Sequence, residues 1–177
     1  MSVGVTASPM ILSNSGVTMF NEAASSDDMG AAIELLNGKT KTESGVFGEF
    51  YSDTLLKSLD HNEALYDIVS EKTTNVTFPN SGLGRQLAMV AKMIDSRTER
   101  GTDADMFFLS TGGWDTHSNI INAQVNLFGN VDAAFTAFAD EMKAKTIWES
   151  VTLIQTSDFA RTLTPNGSEP PGTDHAW

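Results

Sequence analysis

The chain has 177 residues, 40% of them apolar, which is enough for one domain with a real core. Its 23 acidic and 11 basic residues give a formal net charge of −12, which disfavours nucleic acid and anionic membranes as partners. Cysteine is absent, so disulfides and thiolate metal sites are excluded.

Residues 1–26 are mostly small and polar, and they predict an irregular N-terminal segment. No basic run opens them, which predicts that this chain carries no signal peptide. No stretch of about 18 apolar residues occurs, so no transmembrane segment is expected. The first helix is predicted from Ser26 to about Leu36, because acidic residues fill its first turn and Asn37-Gly38 is a stop signal.

Three longer helices are predicted from apolar residues that recur at spacings of three and four, and they cover residues 49–72, 83–100 and 118–145. His61 lies on a polar turn of the first of them and is expected to be exposed. The apolar stripe of the last, from Ile121 to Met142, is expected to be core. Gly129 lowers the stability of this helix near its middle by roughly 1 kcal/mol relative to Ala, which allows a kink or a break there.

Two apolar runs predict buried strands, Met106–Thr111 before the last helix and Val151–Thr156 after it. A strand, a helix and a strand in this order predict a right-handed crossover and parallel pairing. The expected fold class is therefore α/β, with a mostly parallel sheet flanked by helices.

The end of the first predicted strand carries residues suited to chemistry. Gly112 and Gly113 allow a sharp turn, after which Asp115 and His117 lie where α/β proteins place their sites. An aspartate and a histidine together suit zinc, manganese or iron. Asp115 could equally be the N-cap of the following helix, in which case His117 is incidental.

Polar residues also follow the second predicted strand. Asp158 is a metal ligand or the cap of a turn, and Arg161 binds an anion such as a phosphate or sulfate oxygen or pairs with Asp158. Asp174 and His175 lie in a loop of Gly, Pro, Ser and Thr, where ligation explains them better than packing. No nucleophile is assigned. The sequence predicts one or two divalent ions, such as zinc, held by five N and O ligands: Asp115, His117, Asp158, Asp174 and His175.

The chain stops two residues after His175, in a loop punctuated by Gly and Pro. That ending predicts a piece of a longer protein, and a natural short protein with a frayed tail is the alternative. We therefore expect residues 1–177 to form one partial α/β domain in which residues 157–177 are a poorly packed, loop-rich C-terminal segment.

Three ordered blocks resemble the bacterial domain-of-unknown-function family 1501: Gly112–Ser118, Val151–Asn166 and Gly172–Trp177. Phe78-Pro79 followed by Leu83–Ala91 resembles the lead-in of the same family. The resemblance covers residues 70–177 well and the earlier part loosely. The first block of the family, a Gly-Gly-Asn-Asp-Gly-like segment, is not found in this chain.

That family is grouped with the alkaline phosphatase and sulfatase superfamily. The resemblance implies an α/β/α sandwich with metal ligands at strand ends, and an exported protein, periplasmic or extracellular. It also implies part of a metal-dependent hydrolase-like protein whose substrates are small phosphate or sulfate esters. The alternative is an exported non-catalytic protein that keeps the fold for binding or surface assembly.

Overall fold

The computed structural model describes residues 27–37, 45–115 and 120–157. The chain divides into two compact units, Met1–Lys72 and Thr73–Trp177. The first unit contains helices α1 (Asp27–Asn37) and α2 (Gly45–Ser70), and the second contains α3 (Gly82–Asp95), α4 (Ile120–Ala144) and a short 3-10 helix (Trp148–Ser150). None of the described helices is long and apolar enough to cross a membrane.

Both helices of the first unit confirm the sequence prediction. α1 ends at Asn37, whose side-chain amide donates to the Ile33 carbonyl at 2.8 Å and whose Oδ1 accepts from Ser52 Oγ on α2 at 3.0 Å. These bonds satisfy groups that a helix end leaves unpaired, and they join α1 to α2. The last third of α2 buries Leu65 and Val69, while His61 is exposed as expected.

The core of the second unit lies between α3 and α4, which pack against each other. Apolar residues at spacings of three and four give each helix one apolar face, and these two faces meet. Burying one such large side chain contributes roughly 1.5–3 kcal/mol, so this contact is the main source of stability in the unit. The buried residues are Leu83, Leu87, Val90, Ala91, Val131, Ala134, Phe138 and Met142.

The start of α3 is fixed by a cap and by a close approach of backbone. Ser81 is the N-cap, and its Oγ accepts from the Gly84 backbone N–H at 3.0 Å. A Cβ on Gly84 would lie 2.2 Å from the Pro79 carbonyl oxygen, so only glycine fits there. The loop before α3 therefore folds back tightly over the first turn of the helix.

The same hydrogen-bond pattern closes the turns after α3 and the end of α4. Turns continue past Asp95 to Gly101, which has a φ of +61° and is followed by a bond from Thr102 N–H to the Arg97 carbonyl at 2.9 Å. After α4 the residue in the left-handed region is Thr146, with a φ of +58°. Both ends are Schellman motifs, in which a left-handed residue lets the chain return its N–H groups to the last helical carbonyls.

A buried carboxylate ties α4 to the loop that opens the second unit. Glu141 is fully buried, and its Oε2 accepts from the backbone N–H groups of Asn75 at 2.7 Å and Val76 at 2.8 Å. Its Oε1 makes no hydrogen bond among the described residues, but Lys145 Nζ lies 3.4 Å from it. Lys145 also pairs with Asp95 at 3.0 Å. This network joins the loop and both helices at one point.

The stripe along α4 is core only in its second half. Ile121 and Val125 are 74% and 67% exposed, whereas Phe138 and Met142 are buried. The reason is length: α3 has 14 residues and α4 has 25, so α3 covers about half of its neighbour. α4 runs through Gly129 without a break.

The expected α/β fold class is wrong for the described residues, which form helices and no strand or sheet. Residues 106–111, here the first apolar segment, and residues 151–156, the second apolar segment, lie outside regular secondary structure. Met106 and Phe108 are 98% and 95% exposed, whereas Phe107 and Leu109 pack on the core, so the first segment is covered on one side and not on both. A strand also requires a partner backbone, and the apolar pattern alone does not supply one. The predicted parallel pairing of the two segments is therefore wrong as well.

Candidate functional site

The first apolar segment is held at its start by Arg100, which lies in the turns that follow α3. Arg100 pairs with Asp105, and its Nη2 also donates to the Met93 carbonyl at 2.8 Å. Its Nε donates to the hydroxyl of the buried Ser96 at 3.0 Å. A guanidinium that satisfies a helix-end carbonyl and a carboxylate together fixes where the segment leaves the helix.

A second anchor lies near the other end of the segment. Gln86, one turn into α3, donates from Nε2 to the Ser110 carbonyl at 3.2 Å. Phe107 and Leu109 pack on the core between the two anchors. The backbone of the segment is thus placed by α3 without help from a strand ladder.

The glycine pair lies where the chain passes α4, without a turn or bend. Gly113 has a φ of +92°, a conformation that favours glycine, and a Cβ there would lie 3.5 Å from Leu127 Cδ2. The next residue, Trp114, places its ring edge-to-face against Phe128, with the ring centroids 5.1 Å apart. Asp115 follows directly and is exposed. Residues 111–115 contain no turn or bend, so the sharp turn predicted at the glycines is wrong, although Gly113 does take the left-handed conformation.

A cleft of about 250 Å³ opens beside Gly112, between the first turn of α3, the end of the first apolar segment and the middle of α4. Its floor is apolar and partly formed by buried core residues, and its rim carries hydroxyl, amide and backbone groups. The lining residues are Ser81, Gly82, Leu83, Gln86, Ser110, Thr111, Gly112, Leu127, Asn130 and Val131.

Of the predicted site residues, the structure describes Asp115 alone. His117, Asp158, Arg161, Asp174 and His175 lie outside the described residues, and the predicted convergence of the ligands is therefore not tested. The same holds for the loose packing expected after residue 157. Within the described ranges, no group of three or more His, Asp or Glu side chains could hold a metal ion. Both interpretations of Asp115, as ligand and as helix cap, remain open.

Apart from Gly112, sequence reasoning missed the cleft residues, and it also missed Glu141. Ser81 carried a usable signal, because a serine before a glycine and an apolar helical pattern is a recognisable N-cap. Glu141 lies three residues after Phe138, on the buried side of α4, so its position also pointed inward. Asn130 gave no such signal, since a polar residue on a helix is usually just solvated.

No curated protein and no solved structure matches the chain. The family of unknown function DUF1501 matches residues 38–177, a range that includes the three sequence blocks, the cleft and every predicted site residue. The chain belongs to the protein family DUF1501.

Proposed function

We propose that this chain is part of a metal-dependent hydrolase-like protein that acts on phosphate or sulfate esters. The observation that carries the proposal is the placement of Asp115. A segment anchored at both ends leads to this exposed carboxylate, which follows by three residues Gly112, in the wall of a cleft large enough for a small group. Chemistry in proteins concentrates on such loops when a rigid scaffold positions them.

Each proposed site residue has one role. Asp115, His117, Asp158, Asp174 and His175 are the metal ligands, and Arg161 is the clamp for the ester anion. A divalent ion such as zinc, if held by these ligands, would lower the pKa of bound water and would stabilise negative charge on the leaving oxygen. The Arg161 guanidinium can donate two parallel N–H bonds to two phosphate or sulfate oxygens, which fixes the orientation of the ester. The nucleophile is not assigned.

The reaction class comes from the resemblance of the three blocks to a family grouped with the alkaline phosphatases and sulfatases. In this chain the reaction class is supported by the residues of the three blocks and by their order. The match to DUF1501 covers all three blocks. The reaction class does not depend on a sheet, since the described residues are helical. The same resemblance supports export, and we propose a periplasmic or extracellular location.

Metal content of the full-length protein tests the proposal. We expect the wild-type protein to retain one or two divalent ions after desalting, and Asp115→Ala and His117→Ala to bind the metal about 100-fold more weakly or worse. Asp103→Ala and His61→Ala are matched controls, because both residues are exposed and lie outside the proposed ligand set. The four variants should fold alike by circular dichroism.

Ester hydrolysis is measured on the same preparations with p-nitrophenyl phosphate and p-nitrophenyl sulfate. Activity with one of them that falls with the bound metal would support the hydrolase. If neither Asp115→Ala nor His117→Ala lowers bound metal, Asp115 is a helix cap and the proposal is wrong. A protein that binds metal but cleaves neither ester would favour the non-catalytic alternative.

A further inference from the structure

The cleft beside Gly112 and Gly113 has no charged residue among the described residues that line it. A charged ligand taken into the cleft would lose hydration and gain no ionic partner from these residues, which is unfavourable. The charge pattern therefore points to an uncharged occupant.

The polarity of the walls narrows the class of that occupant. Leu83 and Val131 are buried core residues whose edges form an apolar floor together with Leu127. The rim has hydroxyl and amide groups, which both donate and accept hydrogen bonds, and these include Thr111 and Asn130. An apolar floor under a rim of mixed donors and acceptors suits a ring that has C–H groups on its face and hydroxyls around its edge.

The volume of the cleft limits the size of the ligand that it can hold. Pockets for drug-sized ligands span roughly 300–1,000 Å³, and this cleft has about 250 Å³. It therefore has room for a single small ring. Its walls are already fixed by the Ser81 cap and by the Gln86 bond to Ser110, so binding requires little ordering of the protein.

We propose that the cleft binds the alcohol part of the ester substrate, a single uncharged hydroxylated ring of monosaccharide size. This assignment rests on the proposed function, because it places the anionic ester group toward Asp115, three residues along the chain from Gly112 in the cleft wall. The substrates would then be phosphate or sulfate esters of a sugar or a similar polyol. The cleft recognises the ring, and the metal site and Arg161 recognise the anion.

The test measures binding of the ring alone. D-glucose, D-galactose and N-acetyl-D-glucosamine are added to the full-length protein after EDTA treatment, and saturation-transfer NMR reports contact. Removing the metal with EDTA tests the sugar site independently of the metal site, because binding of the ring does not require the metal. The metal site is tested separately by the metal content of untreated protein. We expect at least one sugar to receive saturation from the wild-type protein.

Two variants locate the binding in the cleft. A Cβ at Gly112 would meet nothing within 4 Å, so Gly112→Leu adds bulk at the cleft wall without a backbone clash, and Gly129→Leu is the matched control in equally open space outside the lining. Asn130→Leu removes a rim amide at similar size, and Asn126→Leu repeats the change on the same helix outside the cleft. We expect each cleft variant to weaken sugar binding about tenfold, the effect of losing one hydrogen bond or comparable contact.

Three results bear on the assignment. Loss of binding in the folded cleft variants, with both controls unchanged, supports it. Absence of saturation transfer from the wild-type protein to any of the three sugars would overturn it, even if the protein binds metal. Unchanged binding in Asn130→Leu, or in a folded Gly112→Leu, would overturn it as well, because the sugar would then bind elsewhere.

Discussion

Glu141 is the residue whose substitution should reveal most about the stability of the second unit. Its carboxylate is fully buried and accepts two backbone N–H bonds, at 2.7 and 2.8 Å, from the loop that leads to α3. A buried N–H group left without an acceptor costs about 1–3 kcal/mol. Two N–H groups lose their acceptor, whereas Lys145 keeps its pair with Asp95 at 3.0 Å. We therefore expect Glu141→Ala to lower the free energy of unfolding by about 2–6 kcal/mol.

Glu141→Gln separates the charge from the shape. The amide oxygen of glutamine can still accept from the loop, but hydrogen bonds to a neutral group contribute about 0.5–1.5 kcal/mol against 1.5–3 for a charged one. The amide nitrogen would then face Lys145, a donor against a donor, where Oε1 now lies 3.4 Å from Nζ. We expect Glu141→Gln to lower the free energy of unfolding by about 1–3 kcal/mol, which is less than the effect of Glu141→Ala.

Urea unfolding followed by circular dichroism measures both effects as shifts in the midpoint at constant slope. Asp140→Asn is the matched control on the same helix, because Asp140 is exposed and pairs with Lys143 at 3.6 Å, and it should change stability by less than about 0.5 kcal/mol. If Glu141→Gln unfolds at the same midpoint as the wild-type protein, the buried charge does not hold the loop and the reasoning fails.

The remaining predictions concern backbone geometry and are measured as changes in thermal or urea midpoint. Gly84→Ala should destabilise by about 1–3 kcal/mol, because its Cβ would lie 2.2 Å from the Pro79 carbonyl oxygen. Gly129→Ala should stabilise by roughly 0.5–1 kcal/mol, since it lies inside α4 with open space around it; equal effects at the two glycines would contradict the argument. Thr146→Gly should stabilise by roughly 0.5–1 kcal/mol, because relief of the left-handed strain at a φ of +58° exceeds the entropic cost of glycine, and a lower midpoint would show that strain is absent.

The candidate site was predictable only in part. The left-handed conformation at Gly113 follows from local sequence, because glycine adopts it without strain, but the sharp turn predicted there did not form. The cleft could not be predicted, because its walls come from three separate stretches around Ser81, Gly112 and Asn130. Residues so far apart in the chain meet only through the packing of α3 on α4.

The sequence by itself determined the helices, since a spacing of three and four in apolar residues is a local property that survives in any context. It also excluded thiolate chemistry and carried the family blocks. Only the tertiary structure decided that Met106 and Phe108 face solvent, and that Glu141 is buried. An apolar run indicates that residues tend to be buried, but pairing into a sheet also requires a backbone from a distant part of the chain. Burial of a carboxylate likewise requires N–H donors from a distant part of the chain. Neither the partner backbone nor the N–H donors can be recognised from the neighbouring residues in the sequence.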